Sequence, residues 1–243
     1  MKCILLCAGY ATRMYPLTEN FPKPLLDVKG KPLIDYLIDD LENNKLIDEY
    51  IIVSNHKFIN HFNDWKNNNK YKNKISLLDD GSTNNDNRLG AVKDIWFAIY
   101  KANINDDVLI LAGDNLLDFS LKGFIDFSNN KNSNAVMRYY ESELTRLQRT
   151  GVAVIDDNDK ILEMEEKPKE PKSNWAIPPF YIFKKDYLIE IKEGIDSGCK
   201  VDAPGGFIEW FSKRNPVYAY LMPGKRIDIG NLEDYYKIKW NFI

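Results

Sequence analysis

Arg13 and Lys23 stand ten residues apart in LLCAGYATRMYPLTENFPKPLL, residues 5–26. A turn of small residues after a strand exposes backbone N–H groups that can cradle phosphate oxygens. A guanidinium in that turn adds a bidentate cation for the same oxygens. Lys23 lies in PKP, where a proline on each side stiffens the backbone around one ammonium. A glycine after a strand is by itself only a turn, but two cations in one rigid loop point to phosphate chemistry. Asp114 follows the apolar run of DVLILAGDN. A carboxylate at the C-terminal end of a parallel strand lies where open α/β sheets bind their ligands. The plainer role for such a residue is to start a turn or cap the next helix.

The elements that must carry these residues are legible as patterns. KCILLCAG is a short continuous apolar run ended by Gly9, as expected of a strand buried on both faces. Leu33, Ile34, Leu37, Ile38 and Leu41 recur at helical spacing. EYIIVSN predicts a second buried strand, and ISLLDD a third before the polar loop from Gly81 to Asn87. Residues 90–102 read as a helix with Ile95, Ala98 and Ile99 on one face, and DVLILAGDN as a strand running to Asp114. Alternating strands and helices imply a parallel sheet. Beyond Asn134, NAVMRYY, GVAVID and KILEMEEKP read as strands joined by short loops. WAIPPFYIF, a helix near 186–197, VYAYLMP, RIDIGN and a tyrosine-rich helix from Leu232 complete the chain. The expected fold class is α/β: a Rossmann-like, mostly parallel central sheet flanked by helices, with a smaller β-rich substrate-binding portion. No flexible linker or internal repeat divides it, so one domain is expected over residues 1–243, with roughly 1–130 binding a nucleotide and roughly 131–243 an acceptor.

The order AGYATR, PLT, PKPLL resembles the signature of the sugar-phosphate nucleotidyltransferases, the family of the glucose-1-phosphate thymidylyltransferases and UTP–glucose-1-phosphate uridylyltransferases. The resemblance implies that Leu6, Ala8, Gly9, Tyr10, Ala11, Thr12, Arg13, Lys23, Gly90 and Asp114 bind the nucleotide, with Arg13 and Lys23 catalytic. It implies Mg²⁺ as cofactor, held by Asp114 and by Asp228 of RIDIGN. Two carboxylates completed by triphosphate oxygens and water make the incomplete cage that Mg²⁺ prefers. Gly151, Glu166 and Lys167, in GVAVID and EEKPKEP, match the stretch where the family takes its acceptor, and Tyr181 falls where it places an aromatic. The acceptor would be a sugar phosphate, with Glu166 taking hydroxyls and Lys167 the phosphate. Apart from these two, the charges of EEKPKEP read as a solvated run. The chain departs from the pattern at Ala11, where glycine is usual and which tolerates a positive φ poorly. It departs again at Thr150, where tyrosine is common, and at Pro178 and Pro179, which cannot donate backbone hydrogen bonds. Arg88, in the loop where relatives contact the base, either touches a ligand or is solvated.

A net charge of −3, with 44% hydrophobic and 28% charged residues, fits a soluble globular chain and gives no reason to expect nucleic acid. Met1 to Ala8 is too short for a membrane span. Cys3, Cys7 and Cys199 lack CxxC spacing and read as reduced thiols, which fits a cytoplasmic enzyme; homo-oligomerisation is left open. His56 and His61 are too isolated for a metal site, and Ser54 and Ser82 have no triad partners. Three rival functions remain. A CTP:phosphocholine cytidylyltransferase shares the opening motif and would need an aromatic or acidic cage, with Trp175, Tyr181 and Trp210 as candidates. A non-catalytic nucleotide-sugar sensor could dispense with Lys23 or an aspartate, yet all are present. A Rossmann oxidoreductase would want three glycines and a later acidic residue, and this loop has one glycine followed by two cations.

Overall fold

The computed structural model describes residues 1–241, with side chains through Lys239. In chain order the first elements are β1 (Lys2–Leu6), β2 (Asp27–Val28), β3 (Lys31–Pro32), α1 (Leu33–Asn43), β4 (Glu49–Ser54), α2 (Ile59–Asn68) and β5 (Ile75–Asp79). Next come α3 (Ala91–Lys101), β6 (Val108–Ala112), β7 (Asn115–Leu117), α4 (Lys122–Lys131), β8 (Asn134–Tyr140) and the single-turn α5 (Leu144–Leu147). They are followed by β9 (Gly151–Ile155), β10 (Ile161–Glu166), β11 (Trp175–Ile177), β12 (Phe180–Phe183) and α6 (Ile189–Asp196). The chain closes with α7 (Pro204–Phe211), β13 (Val217–Leu221), β14 (Arg226–Asp228) and α8 (Leu232–Asn241).

The fold is mixed α/β, and the chain passes between two compact units. One comprises Met1–Leu89, Ala112–Leu121 and Gly224–Ile243; the other comprises Gly90–Leu111 and Lys122–Pro223.

In the first unit β1, β4 and β5 form a parallel sheet in that order. The apolar run of β1 leaves Cys3, Ile4 and Leu5 fully buried, as does that of β4 from Tyr50 to Val53. Leu33, Ile34, Leu37, Ile38 and Leu41 of α1 are the buried stripe that their spacing predicts. β7 and β14 pair antiparallel, with Asp228 opposite Asn115. A core cluster joins Met14 and Leu26 of the N-terminal loop, Leu33, Leu116 of β7, and Ile229, Tyr235 and Ile238 of the C-terminal segment. Fully burying one such side chain stabilises by about 1.5–3 kcal/mol. Several together fix the C-terminal segment from Ile229 to Ile238 against the N-terminal loop.

The second unit is β-rich. Its strands lie in the order β10-β9-β11-β8-β12-β6, all neighbours antiparallel, and β13 runs parallel beside β8. Phe207 and Phe211 of α7 pack on Phe183 of β12 at ring separations of 5.6 and 5.4 Å. Leu147, Val152 and Ala176 form a smaller buried cluster.

DVLILAGDN does not run to Asp114 as one strand. β6 ends at Ala112, and Gly113 and Asp114 form a turn into β7. A Cβ on Gly113 would meet the Cys7 Sγ at 2.5 Å, so only glycine lets this turn close on the first strand's exit. The patterns also left out α2, α4 and α7. Among the described residues, no helix is long and apolar enough to cross a membrane.

Candidate active site

In the first unit the chain leaves β1 at Leu6 and turns sharply. Cys7 N–H donates to Val53 O at 2.9 Å, and Asn55 Nδ2 donates to Ala8 O at 3.0 Å, tying the turn to the end of β4. Among the described residues no protein acceptor takes the N–H groups of Gly9, Tyr10 or Ala11. Gly9 is exposed, as are Thr12 and Arg13 in the short 3₁₀ turn that follows. Unclaimed N–H groups beside an exposed guanidinium have the donor chemistry of an anion cradle. Tyr10 is buried, its hydroxyl donating to Ser82 Oγ at 3.3 Å beyond β5.

Ala11 stands at φ 46 and ψ 42, in the left-handed region. Its carbonyl accepts from Thr18 Oγ1 at 2.8 Å and from Met14 N–H at 2.9 Å. The surrounding hydrogen bonds therefore impose on alanine the conformation that glycine takes freely, at a cost of about 1–2 kcal/mol.

Lys23 opens a 3₁₀ turn between Pro22 and Leu25 and is 7% exposed. Its Nζ donates to Asp114 Oδ2 at 2.6 Å and lies 3.6 Å from Asp228 Oδ1. Asp114 reaches this point because the Gly113 turn ends β6. Asp228 does so because β14 pairs with β7, while Tyr235 Oη donates to Asp27 O at 2.8 Å and ties the following helix to β2. Two further residues, missed in the sequence patterns, orient the carboxylates. Asn115 Nδ2 donates to Asp114 Oδ1 at 3.1 Å, and Arg226 donates to Asn115 Oδ1 at 2.8 Å. Arg226 also lies 3.7 Å from Asp228 Oδ2. Their signal was their position, next to one aspartate and two residues before the other.

Asp114 and Asp228 converge on one cationic point, with side chains 30% and 51% exposed. Among the described residues no group of three or more His, Cys, Asp or Glu side chains gathers as a metal cage. Two open carboxylates fit a hard divalent ion whose remaining ligands are water and a phosphate substrate. Burial, and then the charge of Asp114, push the Cys7 thiol well above the usual range.

The acceptor-side residues lie in the second unit. Glu166 ends β10 with its side chain 9% exposed, and Lys167 Nζ is 3.9 Å from its Oε1. Burial pushes the Glu166 carboxyl up, against the pull of Lys167 and Lys200. Lys167 has φ 55 before Pro168, and its N–H donates to Thr150 O at 3.1 Å. A left-handed residue there turns the chain sharply out of the strand, while the half-exposed Lys167 ammonium stays within ion-pair reach of the buried Glu166. Gly151 pairs with Glu166 across β9 and β10. Gly90 caps α3 at φ 90, where a Cβ would meet Val201 O at 2.8 Å. Tyr181 is 3% exposed, in the middle of β12.

The remaining candidates are engaged elsewhere. Arg88 donates to Asn85 Oδ1 at 2.6 Å, and His56 Nδ1 pairs with Asp79 Oδ2 at 2.6 Å. Arg138 lies 4.7 Å above the Trp175 ring and Arg214 4.1 Å above that of Trp210. Rings covered by guanidinium groups, beside a buried Tyr181, do not make an open aromatic cage. The choline reading is not supported.

Residues 2–242 match the family model described as Nucleotidyl transferase. The bifunctional protein GlmU of Methanococcus aeolicus is 35% identical over 189 residues, 76% of this chain and 40% of that protein. The UTP–glucose-1-phosphate uridylyltransferase AglF of Haloferax volcanii is 28% identical over 256 residues, covering 96% of this chain and 93% of that protein. A solved structure of UDP-glucose pyrophosphorylase complexed with UDP-glucose superposes at a TM-score of 0.80 with 22% identity, covering 98% of this chain and 96% of the other. At that identity the likeness speaks for the fold. The chain spans between 40% and 50% of the length of three of the curated relatives that it matches.

Proposed function

Because the chain belongs to the nucleotidyl transferase family, we propose that it joins a nucleoside triphosphate to a sugar 1-phosphate, forming a nucleotide-sugar and releasing pyrophosphate. An oxygen of the acceptor phosphate, already charged, needs no strong base. It attacks the α-phosphorus in line as the bond from that phosphorus to the bridging oxygen of the β-phosphate breaks. Catalysis is then positioning and charge stabilisation.

The observation that carries the reading is the convergence of Lys23, Asp114 and Asp228. Lys23 neutralises charge that develops on the α-phosphate. Gly9, Tyr10 and Ala11 offer N–H groups to the triphosphate, and Arg13 holds the departing pyrophosphate. Asp114 and Asp228 would hold Mg²⁺, which would supply further neutralisation of the phosphates. Lys167 aligns the acceptor phosphate, and Glu166 accepts from sugar hydroxyls. Cytoplasmic action fits this reading, and the free, buried Cys3 and Cys7 support it.

The test is pyrophosphate release with each of four nucleoside triphosphates, against glucose 1-phosphate and mannose 1-phosphate, with and without Mg²⁺. At least one pair should turn over only with the metal. Absence of turnover in every pair would move the protein to the sensor class.

A further inference from the structure

Two glycines bracket the buried carboxylate of Glu166 within the second unit. A Cβ on Gly205 would lie 1.9 Å from Glu166 Oε2 and 2.9 Å from its Cδ. A Cβ on Gly151 would lie 3.1 Å from the same oxygen. The first distance is far inside any real contact, so the carboxylate occupies the space that a side chain at 205 would fill. Gly205 is in the first turn of α7, and that helix holds Glu166 a second way. Glu166 N–H donates to Glu209 Oε2 at 3.1 Å, and the same oxygen accepts from Lys200 Nζ at 3.0 Å. Residues 205 and 209 are four apart and share one face of the helix. That face therefore supplies both the bare backbone under the carboxylate and the anchor for the strand end that bears it.

The approach to α7 is equally constrained. A Cβ on Gly206 would lie 2.3 Å from Lys200 O, so residues 200–206 fold back on themselves only with glycine there. Val92 N–H donates to Val201 O at 3.0 Å and Ala91 N–H to Asp202 O at 3.3 Å, pinning the segment to the start of α3. Glycine inside a helix costs about 1 kcal/mol relative to alanine. A helix that opens with two of them gives up that stability for a close approach.

We propose that Gly205 is a positioning residue that sets acceptor selectivity by keeping the Glu166 carboxylate seated against α7, where it meets the hydroxyl groups of the acceptor. This rests on the reading that Glu166 takes those hydroxyls. A side chain at 205 forces the carboxylate off its seat while leaving the triphosphate loop of the first unit unchanged.

The test is Gly205→Ala in the full chain, with steady-state kinetics on the sugar 1-phosphate and nucleoside triphosphate that the wild type turns over. The expected result is a rise of tenfold or more in KM for the sugar phosphate, with KM for the triphosphate within twofold of wild type. Glu166→Asp, one methylene shorter, should recover part of the loss in the Gly205→Ala background. Melting temperatures supply the folding control: Gly205→Ala should raise Tm in a Glu166→Ala background, where nothing is displaced and alanine favours the helix. An unchanged acceptor KM in Gly205→Ala overturns the proposal. So does an equal loss for both substrates that the aspartate does not relieve, which would make Gly205 a packing residue only. A wild type that turns over no sugar phosphate removes the parent reading itself, an outcome visible before any variant is made.

Discussion

Lys23 Nζ and Asp114 Oδ2 are 2.6 Å apart, and the same ammonium lies 3.6 Å from Asp228. A buried cation thus stands between two carboxylates that would otherwise repel each other. On the proposed reading, Asp114 and Asp228 would take a divalent ion that arrives with the triphosphate, and Lys23 would then be free to turn toward phosphate.

Replacing Lys23 by methionine separates these two roles. Turnover should fall by about 10²–10³, the usual loss when one preorganised donor to a developing charge is removed. Without metal, Asp114 and Asp228 lose their common partner and the variant should melt below wild type. Mg²⁺ alone should then raise the Tm of the variant more than that of wild type. Equal metal responses in the two proteins, or near-normal turnover, would remove Lys23 from this position in the mechanism.

Ala11→Gly tests the strain in the phosphate loop. Alanine at φ 46 costs about 1–2 kcal/mol, whereas glycine adds about 0.4–1 kcal/mol of unfolded-state entropy. The net expectation is stabilisation of roughly 0.5–1 kcal/mol, read from the denaturant midpoint at constant m-value. A lower midpoint would mean that the alanine methyl contributes packing that outweighs its conformation.

The parts of the site that the sequence made legible are those coded locally. Gly9, Arg13 and Lys23 share one short stretch, and the apolar runs of β1, β4 and β6 place the first loop and Asp114 at strand ends. The meeting of Asp228 with Lys23 was not readable from spacing, because it depends on Ile229, Tyr235 and Leu116 packing with Met14 and Leu26. Gly205 was invisible for a similar reason: PGG reads as a helix breaker until Glu166 is seen in the space beside it. α2 escaped the patterns because Phe62 is its one buried residue. Arg226 reaches Asn115 through β7–β14 pairing, a long-range register that neither segment encodes alone.

Glu166 carries the last prediction, a dependence of stability on pH. Burial is the largest influence on its carboxyl and raises its pKa in the folded protein above the ordinary glutamate value of 4.5. The folded state therefore holds this proton more tightly than the unfolded state. Below the ordinary value both states are protonated and the buried group costs nothing. As pH rises through the ordinary value toward the folded one, the unfolded state releases its proton first, and stability falls until both states are ionised. Glu166→Gln should consequently be more stable than wild type at neutral pH, with the gap closing below pH 4.5. The same variant should bind the sugar phosphate less well, because an amide replaces the carboxylate as acceptor. Urea titrations from pH 4 to 8, about the range over which a raised carboxyl titrates, measure the first effect and acceptor KM the second. A stability gap that stayed constant across that range would show that Glu166 is ionised in the folded protein as readily as in the unfolded chain.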